Sequence, residues 1–353
     1  MHLTKHAPLT WDQRRRVALL ALLGLALALI MLGLCSAPAP ISSQVAAASA
    51  GDAALYRAID RRVAAGEPYY PIVVQEQRAR NYPLQPFVVV RPPTRTWLFA
   101  QIGDAGALCL AWLLAGVTIA TFAWRLRTAT TSLPLWSASV AIVVASVVPL
   151  VNPVVVLWSD LWAGLLTALS LGCRSNRHWR ASVAFGFLAV LFRELALAYL
   201  AAMTLAALLE RRRFEAAVWF GIIALALGLL AVHAVAVHAV LPPDAPVSQG
   251  WLRAGGWHFD LSMARATTFL LLLPASVAAV IVPLTLFGWA ATRGGFARRV
   301  TLALAAWLLP CLLIGRPENS YWGLLMAPFW LAGFPLALPA LYELVRRPRP
   351  VTA

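Results

Sequence analysis

Apolar runs of membrane-crossing length alternate along this chain with short polar segments, and every second polar segment is rich in arginine. A stretch of ~20 apolar residues crosses a hydrocarbon core as one helix. Read from an inner N-terminus, the pattern predicts helices over 17–34, 101–124, 133–151, 154–172, 179–192, 194–210, 214–240, 266–292, 298–314 and 321–344, ten crossings that leave both termini inside. The inner turns then collect Arg125/Arg127, Arg174/Arg177/Arg180, Arg211–Arg213 and Arg293/Arg298/Arg299, and the tail holds Arg346, Arg347 and Arg349, as the positive-inside rule requires.

The run 181–209 decides that count, because Arg193 and Glu194 interrupt it and arginines flank both of its ends. A single helix here would send every later arginine cluster to the outer side, against the rule. Two short helices restore the parity. At ~1.5 Å per residue each reaches roughly 20–25 Å, less than the ~30 Å hydrocarbon thickness, so the turn between them is expected to sit recessed below the outer surface. It would carry a guanidinium and a carboxylate to a depth where charge is expensive and ordinarily faces a wet cavity.

Three segments fall outside: 35–100, 241–265 and 315–320. The first is expected to act as a cap on a single membrane domain covering 1–353. Within it, Leu55, Tyr56, Ile59 and Val63 repeat near helical spacing, which predicts an amphipathic helix over 52–65 lying on the membrane surface. The following stretch, with Pro68-Tyr69-Tyr70-Pro71 and Tyr82-Pro83-Leu84-Gln85-Pro86, is not expected to form regular helix; its rigid, extended backbone suits a cleft wall. The fold class is therefore an all-α polytopic membrane protein with a long capped first outer loop.

Composition agrees: 61% of residues are hydrophobic and 12% charged, which excludes a soluble domain. The formal net charge of +15 orients the chain and does not point to nucleic acid. Cys35, Cys109, Cys173 and Cys311 lie in or beside separate apolar segments without metal-site or disulfide spacing. Arg14–Arg16, the apolar run to Leu34 and Ala48-Ser49-Ala50 have parts of a cleavable signal, but the gap to Ala50 is long for one, so the first helix is expected to stay.

Asp52 is the leading candidate for chemistry. It reads both as an N-cap and as a general base at the membrane boundary. Asp60 and Glu67, among Arg57, Arg61 and Arg62, read as surface charges. Asp160 lies just inside the outer end of its helix and needs a partner or a wet pocket, whereas Asp104 suits a helix start. Arg193 and Glu194 read either as a structural ion pair or as a site in which Arg193 binds phosphate. The loop Gly315-Arg316-Pro317-Glu318-Asn319-Ser320-Tyr321 adds a second arginine at the same face, with hydrogen-bonding side chains suited to sugar hydroxyls. His233 and His238 stand about 140° apart around a helix and form no metal face. His258, Asp260, Trp251 and Trp257 fit an interfacial belt. Walker, dinucleotide and zincin motifs are absent; no cofactor is expected, and a divalent cation is compatible but not indicated.

Gly51-Asp52-Ala53-Ala54-Leu55-Tyr56 with Gly66-Glu67-Pro68-Tyr69, then Tyr82-Pro83-Leu84-Gln85-Pro86, Ser159-Asp160 and the short helix pair around Arg193 together resemble the GT-C class of integral membrane glycosyltransferases. The similarity is to bacterial mannosyltransferase-like and arabinosyltransferase-like members that use polyprenyl-phosphate sugars. The resemblance implies a multi-pass protein of the bacterial inner membrane, a polyprenyl-phosphate-linked sugar donor and a lipid or glycan acceptor. It implies Asp52 as catalytic base and Arg193 and Arg316 on the donor phosphate, with Tyr56, Asp160, Glu194, Glu318 and Asn319 as further cavity residues. Two other functions fit the same layout: a transporter or flippase of lipid-linked glycans, and a non-catalytic envelope scaffold. Repeated halves with midplane polar groups, expected of a transporter, are not evident.

Overall fold

The computed structural model describes residues 11–35 and 43–346; the tail residues Arg347 and Arg349 and both termini lie outside the described residues. Among the described residues the chain is helical, and its one β feature is an isolated bridge between Gln85 and Val247. In order the α-helices are α1 (Trp11–Cys35), α2 (Ser43–Ala64), α3 (Tyr69–Ala79), α4 (Thr94–Ala129), α5 (Leu133–Val147), α6 (Ser159–Cys173), α7 (Trp179–Phe192), α8 (Leu197–Leu209), α9 (Arg213–His238), α10 (Gly256–Thr267), α11 (Ala275–Ala291), α12 (Gly295–Cys311) and α13 (Ala337–Val345). Four stretches, Asp12–Cys35, Phe87–Ala129, Leu133–Leu150 and Arg213–His238, are long and apolar enough to cross a membrane. Apolar side chains such as Leu25, Leu27 and Met31 on α1 and Val232 and Val235 on α9 are exposed, as faces turned to lipid would be.

The structure revises several boundaries expected from the sequence. No single helix covers 321–344: a 3-10 segment runs from Pro317 to Leu325, another covers Leu331–Gly333, and α13 follows. Pro328 and Pro335 each remove a backbone donor and clash with the preceding turn, so the apolar run cannot stay α-helical. Its tryptophans and most of its leucines are instead buried, Trp330 and Leu325 among them, while Leu338 is exposed. The expected helix 266–292 is likewise split before Pro274, into α10, a 3-10 turn at Phe269–Leu272 and α11. Helix α4 starts earlier than expected and kinks at Gly103, whose φ of 67° and ψ of 175° leave Asp104 to begin the second limb. The surface helix begins at Ser43, so Asp52 lies within α2 and is not its N-cap. The stretch from Pro68, expected to be extended, instead enters helix α3 at Tyr69, with Pro71 in the first turn, where a missing backbone N–H costs no helical bond.

The break at Arg193 is clear. Arg193 is extended (φ −150°, ψ 116°), Glu194–Ala196 form a 3-10 turn, and α8 returns alongside α9. Ser170 Oγ donates to the Ser182 carbonyl at 2.5 Å, and the Tyr199 hydroxyl donates to Ser170 Oγ at 2.7 Å. In a straight rod residues 182 and 199 would be roughly 25 Å apart. The ends meet as well: Arg174, before α7, lies 3.4 Å from Glu210, after α8.

Helix α6 is buried almost throughout and forms the centre of the bundle. Gly164 permits this, since a Cβ there would stand 2.1 Å from the Leu324 carbonyl oxygen of the Pro317–Leu325 3-10 segment. The cap has its own apolar cluster, in which Leu55, Ile59, Ile72, Leu84 and Val90 close on Val237 at the end of α9. Burying each such side chain stabilises by roughly 1.5–3 kcal/mol. Backbone bonds from Leu84 to Pro246 (2.8 Å) and from Ser248 to Gln85 (2.7 Å) tie the two connecting loops together.

Candidate functional site

Under the cap, a cavity of ≈ 470 Å³ opens between α2, the segment leading into α4, the Arg193 turn and the 315–322 loop. Asp52 and Tyr56 stand four residues apart on α2, so the helix presents both on one face, and both line the cavity. Arg193, Glu194, Arg316, Glu318 and Asn319 line it too. Residues from four distant parts of the chain thus meet in one space. Asp160 reaches it indirectly, through Arg193.

The electrostatics are specific. The Tyr82 hydroxyl donates to Asp52 Oδ1 at 2.7 Å. Burial raises the proton affinity of the Asp52 carboxyl above the ordinary carboxylate range, while the Tyr82 hydrogen bond and the Arg91 charge oppose that shift. Arg193 is 1% exposed; its Nε donates to Asp160 Oδ1 at 2.8 Å and its Nη1 to Glu194 Oε1 at 2.5 Å. The buried first turn of α6 supplies Asp160, and stacking of Phe192 on Trp162 at 5.5 Å fixes the approach of α7 to it. Arg316 is anchored by the Gly250 carbonyl at 3.4 Å and lies 3.5 Å from Glu318. It follows Gly315, whose φ of 134° and close approach to Phe259 exclude a side chain.

Two arginines of the site, Arg91 and Arg95, were not among the candidates drawn from the sequence. Arg91 donates to the Tyr321 hydroxyl at 2.9 Å and to the Val88 carbonyl at 3.3 Å, and lies 4.0 Å from Glu194. Arg95 lines the cavity as well, as does Tyr82 from the stretch expected to form a cleft wall. The signal for Arg91 was its position between the apolar Phe87–Val90 run and Pro92-Pro93, whose fixed backbone aims it inward at the mouth of a crossing. Asp60 is a correction. It is no surface charge but is 7% exposed and bonded through both oxygens to Arg95, at 2.7 and 2.8 Å. Arg95 itself lies 5.0 Å from the Tyr56 and Phe99 rings.

Other candidates fall elsewhere. Glu67 is exposed and pairs with Arg62 at 2.5 Å. Asp104 is exposed outside the cavity. His233 is a core residue, sharing hydrogen bonds with the Val90 carbonyl (3.0 Å) and the Tyr70 hydroxyl (3.2 Å) and so fastening the cap to α9. Trp251 lines the cavity, while Asp260 is fully buried with neither oxygen hydrogen-bonded. Among the described residues, no three His, Cys, Asp or Glu side chains gather in a metal-holding group. The chain matches no protein-family model, no curated protein and no solved structure.

Proposed function

We propose that this protein is a membrane glycosyltransferase that moves a sugar from a lipid-linked phosphate donor to a hydroxyl of a lipid or envelope glycan. In this reading the capped end faces outward from the bacterial inner membrane, the chain crosses ten times, and several crossings are short or broken. One observation carries the proposal: a proton-seeking carboxylate, Asp52, shares a cavity with Arg91, a guanidinium that has no carboxylate hydrogen bond among the described residues. The resemblance of the Asp52 and Tyr82 segments to the GT-C class supports the same assignment.

The chemistry is a displacement at the anomeric carbon. The acceptor oxygen attacks that carbon as its proton passes to Asp52, and the bond from the carbon to the phosphate oxygen breaks with its electron pair leaving on phosphate. Arg91 and Arg316 offset the charge that develops there, in a space partly withdrawn from water. Arg193 is a positioning residue. Two carboxylates already engage it, so it holds Asp160 and Glu194 in place and thereby fixes the surroundings of Arg91.

The test uses full-length protein in proteoliposomes supplied with polyprenyl-phosphate mannose or arabinose labelled in the sugar. Wild type should release labelled sugar to an acceptor, and Asp52→Asn should fall by ~10²–10⁴-fold, the usual worth of a general base. Equal turnover in the two proteins, or no transfer from either donor by wild type, overturns the assignment.

A further inference from the structure

A second and larger cavity, ≈ 940 Å³, opens at the other end of the bundle, between the last turn of α4, the 174–178 turn and the start of α12. Helix α7, 14 residues long, separates the two levels by roughly 20 Å. Its lining includes Arg125, Arg174, Arg177, Arg212, Arg298 and Arg299, against a single lining carboxylate, Glu210.

The carboxylates here are already saturated. Glu210 accepts from Arg298 at 2.8 Å and from Arg299 at 2.5 Å, and Glu215 behind it takes Arg174 at 3.0 and 2.5 Å. Arg125 is left with aromatic faces only, its guanidinium 5.0 Å from the Phe296 ring and its Nε buried without an acceptor. Arg299 is 2% exposed, and its Nε also has no acceptor. Arg177 is exposed and, among the described residues, has no carboxylate partner.

Topology alone does not explain this. Arginines that merely orient a chain point into water or among headgroups, where every N–H finds an acceptor. Here Arg125 and Arg299 both line the cavity, and the Nε–H of each is buried with nothing to accept it, which is costly unless a ligand supplies oxygens. A planar guanidinium pairs best with carboxylate or phosphate oxygens, and basic hollows between membrane helices hold phosphate head groups.

We propose that this arginine-lined cavity binds a phosphate-bearing anion, supplied either by an acidic phospholipid headgroup or by a soluble polyphosphate. The Arg125 and Arg299 guanidinium groups would donate to the anion's oxygens, and Arg177 would close the open side. The proposal stands independently of glycosyl transfer, which concerns the opposite end.

The experiment uses the full chain purified in detergent. One arm offers equal phosphatidylcholine and phosphatidylglycerol and counts retained lipid by native mass spectrometry; the other titrates inorganic pyrophosphate by calorimetry. Retention of phosphatidylglycerol over phosphatidylcholine identifies a headgroup site, and saturable pyrophosphate binding identifies a soluble ligand. Either result should fall at least ~10-fold in the Arg125→Gln/Arg177→Gln double variant, since a charge-assisted contact is worth about that factor. If that variant does not fold, Arg177→Gln alone, at an exposed position, should still weaken binding by about 3-fold, a partial share of one such contact. Arg213→Gln, exposed on the first turn of α9 and outside the lining, should leave binding unchanged. No preference for either anion, undiminished binding in the variants, or an equal loss in Arg213→Gln overturns the proposal.

Discussion

The two ends of the bundle use the same side chain in opposite ways. At the capped end, Arg95 is matched by Asp60, and Arg193 is matched by Asp160 and Glu194, so charge is nearly balanced and guanidinium planes are held still. At the other end the arginines outnumber the acids, and buried N–H groups remain without acceptors. Balance fixes geometry; surplus attracts an anion. A cavity that must align an attacking hydroxyl, a base and a leaving group needs the first arrangement, because small misplacements of reacting groups are expensive. A cavity that only retains a charged ligand needs the second.

The sharpest way to break this contrast is to unbalance the capped end. Asp60→Asn would leave Arg95 buried without its carboxylate, and the loss of one partner of a buried pair costs about 3–5 kcal/mol. The expected outcome is a marked drop in the detergent-solubilised unfolding midpoint; an unchanged midpoint would mean that the pair contributes nothing. Asp160→Asn comes next. It releases one side of Arg193, and turnover should fall by ~10–10²-fold through misplacement. Arg193 does not touch substrate in this account, so the loss should appear in kcat with KM little changed, and Asp160→Glu should restore part of it.

The third prediction concerns pH. Asp52 must be ionised to act, and burial raises its proton affinity, so activity should fall on acidification at a pH above the usual carboxylate range. Tyr82→Phe removes a hydrogen bond that lowers this proton affinity, and the acid limb should move to still higher pH. A limb that stays in place or moves downward removes Tyr82 from the account. The linkage sign is fixed as well. A carboxyl whose folded-state proton affinity is raised loses stability as pH rises through the interval between its unfolded and folded values. Asp52→Asn should therefore be inactive yet no less stable than wild type at neutral pH, in thermal unfolding. The smallest effect belongs to the exposed pair of Arg62 and Glu67 on the cap: Glu67→Gln should leave both turnover and the unfolding midpoint unchanged.

Part of the capped end is legible in the chain, whereas the inner arginines read there only as the charge that orients it. A guanidinium and a carboxylate in the middle of an apolar run are incompatible with a continuous lipid-facing helix, and the structure breaks the chain at that point. Asp52 and Arg316 were legible as polar residues near the expected outer ends of crossings. Arg91 was not singled out, because one arginine beside two prolines looks like any membrane-edge residue until the cap folds over it. Asp60 was misread for the same kind of reason: its partner is 35 positions away, and neighbouring arginines looked like ready solvent-exposed partners. The final apolar segment reads as one helix because hydropathy registers burial and not backbone shape. Pro328 and Pro335 signal that break in the sequence, whereas the packing that stabilises the 3-10 turns belongs to tertiary structure.

The most direct test of the division between the two ends is to locate the donor. A photoreactive polyprenyl-phosphate sugar, crosslinked to full-length protein in proteoliposomes and mapped by peptide mass spectrometry, should label segments 82–96 and 315–322 around the Asp52 cavity. Labelling confined to 124–129, 174–178 and 293–299, at the arginine-rich end, would contradict the account.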